Sequence, residues 1–284
     1  MNRSPRFPVA LAVALAAIGM AGPLGRSRAE EPVPARARKV FEQNRESIVK
    51  VTAVAQIRLS AAARPGLNLP EREDKVRTDG TLVDDKGLVV LSLSAIDPSR
   101  LIDGREANSP MGPIKVDASA TLKELEIILG DGTEIPASLV FKDDDLDLAF
   151  VRPKADAAEA RGVAFDPVDL ADTGAVQVAD YTVSVIRLED LFNNDPALMP
   201  GQISAVLERP RPFFLATNVA RGCPMFTLDG KLLGIGIMRH RKTEGGTAAG
   251  NALVPAAEVR KLVGQIPAQA PDAADEKPAA TAAP

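Results

Sequence analysis

The chain is poor in the side chains that most enzymes use for chemistry. Its 284 residues include one His, one Cys, one Tyr and no Trp. One Cys excludes an internal disulfide, so the fold must stand on packing alone. A single His and a single Cys, His240 and Cys223, cannot assemble a zinc cluster, and no metal is expected. Asp143-Asp144-Asp145 offers oxygen ligands, but without the rest of a calcium loop it reads as a solvated turn. Gly245-Gly246-Thr247 lacks the pattern of a phosphate-binding loop, and no cofactor is expected. Aromatic residues make up only 4 %. The core must therefore come from Val, Leu, Ile and Ala.

One long apolar run is present, at the very start. Arg3 and Arg6 precede an uncharged stretch from Pro8 to Gly22, and Ser27-Arg28-Ala29 follows as a small-x-small site. Basic start, apolar centre and small-residue end are the parts of a secretory signal peptide over residues 1–29. The expectation is an exported protein, periplasmic or secreted, with no membrane span after cleavage. The alternative is an uncleaved anchoring N-terminus. The formal net charge is −4. Cleavage after Ala29 removes four arginines and no acidic residue, leaving 30 basic and 38 acidic side chains and a charge of −8. That balance argues against nucleic acid as a partner.

Residues 30–47 read as a spacer and a short helix, with Val40 and Phe41 as its apolar contacts. Ile48 to Ile57 alternates and reads as a strand. Arg58 to Asp79, with Pro65, Pro70 and many charges, reads as a loop. Three hairpins follow from apolar runs separated by Gly-containing polar turns. They lie around Asp84-Asp85-Lys86-Gly87, Gly130-Asp131-Gly132 and Leu228-Asp229-Gly230-Lys231. Leu148 to Val151 and Ala252 to Val254 add short strands, and Pro255 to Val263 reads as a closing helix. Residues 97–120 hold three prolines without periodicity and read as a surface insertion. The Ala/Pro-rich end, residues 265–284, reads as a disordered tail. Many short strands with few helices predict an all-β sandwich or barrel.

Three blocks, in order, resemble the trypsin-like serine proteases, most closely the bacterial Deg or high-temperature-requirement type. The first runs from Gly80-Thr81-Leu82-Val83 through Gly87 to Leu91-Ser92-Leu93-Ser94-Ala95-Ile96, and Ser94 falls where that family carries its catalytic histidine. The second is Asp143-Asp144-Asp145-Leu146-Asp147-Leu148-Ala149-Phe150, in which Asp147 matches the catalytic aspartate. The third is Val219-Ala220-Arg221-Gly222-Cys223-Pro224, similar to the nucleophile loop, with Arg221 in the place of the serine and Gly222 and Cys223 as oxyanion-loop equivalents. The resemblance covers roughly residues 38–264. It implies two six-stranded Greek-key barrels, over residues 48–160 and 161–264, with a short N-terminal and a C-terminal helix and a cleft between the barrels.

It also implies lost chemistry. The triad needs a hydroxyl, a histidine base and an orienting carboxylate, and of these only Asp147 is retained. His240 lies after the nucleophile block, where the family has a strand end or loop, and is not expected to replace the base. Arg221 is always charged and has no nucleophilic capacity. The expected role of Asp147 is structural, either paired with Arg221 or capping a turn. Arg239-His240-Arg241-Lys242 is a basic patch, read as a solvated loop or as a contact for a polyanion or partner. The leading expectation is a pseudoprotease that binds a peptide segment or protein in the inter-barrel cleft. The alternatives are a serine-type endopeptidase with a displaced site, for which Cys223 and the serines near Ser94 are the candidates, and a structural scaffold of a cell-envelope assembly.

Overall fold

The computed structural model describes residues 31–61, 71–109, 112–154, 157, 162–243 and 246–266. The leader and residues 267–284 of the tail lie outside the described residues. Helix α1 (Val33–Asn44) precedes strand β1 (Ile48–Ala61). The chain continues through β2 (Arg72–Leu82), β3 (Val89–Ser92), the short helices α2 (Leu93–Ile96) and α3 (Ser99–Ile102), and then β4 (Glu106–Ser109), β5 (Gly112–Ile128), β6 (Glu134–Asp143) and β7 (Leu148–Pro153). A second set follows: β8 (Tyr181–Arg187), β9 (Pro196–Leu207), β10 (Phe213–Ala216), β11 (Pro224–Thr227), β12 (Leu232–Thr243) and β13 (Gly246–Pro255), ending in α4 (Ala256–Val263).

These strands form two closed antiparallel barrels. The first has the order β1-β2-β3-β7-β6-β5 and closes through β1–β5, with β4 appended to β5 as a hairpin. The second has the order β10-β13-β12-β11-β8-β9 and closes through β9–β10. Numbered separately, each barrel has the strand order one, two, three, six, five, four. Closure removes the unpaired edges that an open sheet would expose.

Side-chain alternation sorts the apolar residues into layers. Along β1, Val49, Val51 and Ala53 face the first barrel's interior, where they meet Leu91, Ile127, Ala149 and Val151. Strands β3 and β7 are buried on both faces, which is why they read as unbroken apolar runs. Their second face, with Val90, Leu148 and Phe150, joins a layer shared with the second barrel through Val183, Val185, Phe226, Ile235 and Val254. Ala37 and Val40 of α1 and Val259 and Leu262 of α4 complete that layer. The second barrel has its own interior cluster, including Ile203, Met225, Leu233 and Leu253.

The fold class agrees with the expectation; several local readings do not. Residues 72–79, expected as loop, belong to β2, whose polar side chains face outward while its backbone pairs with β1. The stretch 97–120 is not an irregular insertion, because its second half is the start of β5, paired with β1 from Ala61↔Val116 onward. There Lys115, Asp117 and Ser119 face outward and alternate with Val116, Ala118 and Ala120, a period of two carried inward mostly by small side chains. The basic patch Arg239 to Lys242 is strand, not loop, and pairs with Gly250 to Thr247 in a long β12–β13 hairpin.

Phe150 is fully buried and meets Phe141 edge to face, with ring centroids 5.9 Å apart. Phe150→Ala should destabilise the protein by about 3–5 kcal/mol, read as a shift in the urea unfolding midpoint with an unchanged slope.

Candidate functional site at the barrel junction

Asp147 is buried in the turn between β6 and β7, with a φ of 55°. Its carboxylate is almost fully partnered. Oδ1 accepts the backbone N–H of Ser94 at 2.8 Å. Oδ2 accepts the hydroxyls of Ser92 at 2.5 Å and Ser94 at 3.0 Å, and the backbone N–H of Met238 at 3.2 Å. The two hydroxyls lie 3.2 Å apart. The Asp147 carbonyl accepts the N–H of Leu93 at 2.8 Å, which ties the turn to the start of α2. The structure therefore brings Ser94 and Asp147 into direct contact.

The expected Arg221–Asp147 pair is not formed. The guanidinium near Asp147 belongs to Arg100, whose Nε lies 3.9 Å from Oδ1. Arg100 is anchored on the neighbouring turn, pairing with the Asp144 carboxylate and donating to its carbonyl at 2.8 Å. Arg100 stands in α3, inside the stretch read from sequence as a surface insertion. Four donors to the carboxylate come from two hydroxyls and two backbone amides, and these leave little charge for a second arginine to neutralise.

Arg221 sits instead in a loop flattened between the barrels. The Gly222 N–H donates to the Gly236 carbonyl at 2.7 Å, and the Gly236 N–H donates to the Cys223 carbonyl at 2.9 Å. From the other barrel, the Thr81 hydroxyl donates to the Gly222 carbonyl at 2.7 Å. Gly222 has a φ of 75°, and a Cβ there would lie 1.9 Å from the Asp79 carbonyl oxygen. A Cβ on Gly236 would lie 1.9 Å from the Ala220 carbonyl oxygen. Both glycines are demanded by backbone-to-backbone contact. Arg221 itself has no hydrogen bond or ion pair among the described residues, and it carries no hydroxyl.

Cys223 is turned away from Asp147. Its Sγ donates to Asp79 Oδ2 at 3.2 Å, and Lys50 Nζ lies 2.8 Å from the other oxygen of that carboxylate. Lys50 also donates to the Arg187 carbonyl at 3.0 Å. Burial pushes the thiol pKa well up, the Asp79 charge and hydrogen bond add to the rise, and the Lys50 ammonium opposes it. A nucleophilic cysteine needs the opposite environment, one that favours the thiolate.

Beside this loop, β12 changes character. Gly234 and Ile235 are paired on both sides, with β11 and β13. Beyond Gly236 its only strand partner among the described residues is β13. Antiparallel pairing sends the main-chain groups of alternate residues to alternate sides. Gly236 and Met238 direct theirs away from β13, toward the 220–223 loop and Asp147 respectively. By the same parity, the N–H and C=O of His240 point to the side where β12 has no strand. His240 is thus on an open strand edge two residues from Met238, not in a distant loop. Its Nδ1 is buried without a hydrogen-bond partner among the described residues, and nothing joins it to Asp147.

Sequence reasoning found Ser94, Asp147, Gly222 and Cys223 as neighbours of this junction. It took Ser92 only as a candidate nucleophile, not as a donor to Asp147, and it missed Arg100, Gly236 and the edge at His240. The signal for Gly236 was present in Leu233-Gly234-Ile235-Gly236-Ile237, where two glycines interrupt a strand. No metal-ligating group of three or more His, Cys, Asp or Glu residues occurs among the described residues. No protein-family model matches this chain, and no curated protein matches it in sequence.

Two outcomes follow from Cys223. In the native protein it should resist a thiol reagent such as Ellman's and react only on unfolding. A thiol whose pKa is raised by folding keeps its proton while the unfolded thiol loses it. Stability should therefore fall as pH rises above the ordinary thiol range, about 8.5, with a limiting slope of about 1.4 kcal/mol per pH unit. Cys223→Ala should remove this component, measured as the difference in urea unfolding free energy between the two proteins at pH 7 and pH 10.

Proposed function

We propose that the chain is an exported, non-catalytic relative of the trypsin-like peptidases, of the Deg type, that binds an extended peptide or protein segment in the cleft between its barrels. The observation that carries this reading is the open edge of β12 from Met238 onward. A segment laid against such an edge gains main-chain hydrogen bonds without any catalytic residue.

The rest of the junction supports the non-catalytic part. The position of the base holds Ser94, whose hydroxyl is already committed to Asp147. The position of the nucleophile holds Arg221. The nearest thiol is buried and held protonated. A serine hydroxyl with no histidine to take its proton stays a poor nucleophile at neutral pH. The barrel order and the three sequence blocks support the relation to the family, and the first 29 residues support export.

The test uses fluorescently labelled, unfolded casein. Wild-type protein should raise its anisotropy and leave it intact on a gel. His240→Pro should weaken binding by about tenfold or more, because proline removes the outward N–H. The same change should leave the circular dichroism spectrum unaltered, since proline is tolerated at an unpaired edge position. Cleavage of casein by the wild type, labelling by a fluorophosphonate probe, or equal binding by His240→Pro would overturn the reading.

A further inference from the structure

The open edge of β12 is lined with positive charge on a protein that is acidic as a whole. Arg239 and Arg241 stand two residues apart on it, and so on the same face of the strand. Arg239 stacks over the Phe213 ring, 4.5 Å from its centroid, and donates to the Asp145 carbonyl at 3.1 Å. It is thereby fixed in place without using a carboxylate. Arg241 is exposed and has no ion pair or hydrogen bond among the described residues. Arg221, at the head of the same edge, is equally unpaired. The acidic side chains at the junction are largely committed. Asp147 is buried among its donors, Asp144 pairs with Arg100, and Asp145 pairs with Arg211, whose Nη2 lies 3.3 Å from Oδ2. Described residues 248–251 of β13, opposite, carry no charge.

We infer that the segment this edge accepts is acidic, with carboxylates at alternate positions that face Arg239 and Arg241. The inference rests on β12 serving as the peptide-binding edge. An added antiparallel strand places its residues opposite those of β12, and directly opposed side chains of unlike charge attract while like charges repel. Two arginines at i and i+2 stand about 7 Å apart along the strand. Two carboxylates with that spacing meet both guanidinium groups; two adjacent carboxylates meet one, because the second points to the other face. The overall negative charge, formally −4, makes the local positive strip a means of discrimination, since an acidic ligand is repelled elsewhere.

Anisotropy titrations with labelled nine-residue peptides test this. One Thr/Val/Ala host sequence carries Glu at positions 4 and 6, Glu at 4 and 5, Lys at 4 and 6, or no charge. The 4,6-Glu peptide should bind about tenfold more tightly than the 4,6-Lys peptide and measurably more tightly than the 4,5-Glu peptide of equal net charge. Arg241→Glu should abolish or reverse the preference for Glu over Lys while the uncharged peptide binds as before. Equal binding of all four peptides, with loss of binding in His240→Pro, would overturn the acidic preference and leave the edge reading intact. Binding of none of them would overturn both. Equal binding of the 4,6-Glu and 4,5-Glu peptides, each above Lys, would overturn the spacing and reduce the effect to net charge.

Discussion

The contact on which the arrangement depends is the backbone-to-backbone approach of the 220–223 loop to β2. Gly222 lies so close to the Asp79 carbonyl that no side chain fits between them. Around that point Thr81 donates across the junction, Cys223 meets Asp79, and Lys50 ties Asp79 to the Arg187 carbonyl. Apolar layers between barrels tolerate sliding, because dispersion contacts are non-directional. Directed hydrogen bonds at one buried point remove that freedom. Their value here lies less in net stability, since burying Lys50 and Asp79 has a large desolvation cost, than in setting one register between the halves.

That register positions the junction. Met238 can reach Asp147 only because β12 of one barrel passes the β6–β7 turn of the other. Ser92, Ser94 and Arg100 approach the same carboxylate from β3 and the two short helices after it. The carboxylate is thus a structural node joining four segments. Its partners are neutral donors and one arginine, so it remains buried and satisfied without a histidine. The open edge of β12 continues outward beside it.

The barrels were legible in the sequence where strands carry apolar residues on both faces or close on tight glycine turns. The β2–β3, β5–β6 and β11–β12 hairpins are of that kind. Legibility failed where a strand is held by backbone pairing and its side chains are polar. Arg72 to Asp79 and Arg239 to Arg241 have this character, while Lys115 to Ala120 alternates with only Val116, Ala118 and Ala120 as its apolar side. It failed again for Arg100, since nothing in Asp97-Pro98-Ser99-Arg100 announces a partner more than forty residues away. The positions of Ser94, Asp147 and Arg221 came from motif order. The choice of Arg100 over Arg221 as the charged neighbour of Asp147 came only from three-dimensional placement.

One further property follows from the shared apolar layer. Ala37 and Val40, near the first described residues, belong to the same cluster as Val259 and Leu262, near the last. Closing that layer joins chain segments more than two hundred residues apart, and the loop-closure entropy must be met before those contacts form. Each barrel also lends one wall to the layer, so neither half can finish its own burial first. The expected kinetic behaviour is slow, late consolidation, with α1 and α4 among the last elements to become protected from hydrogen exchange.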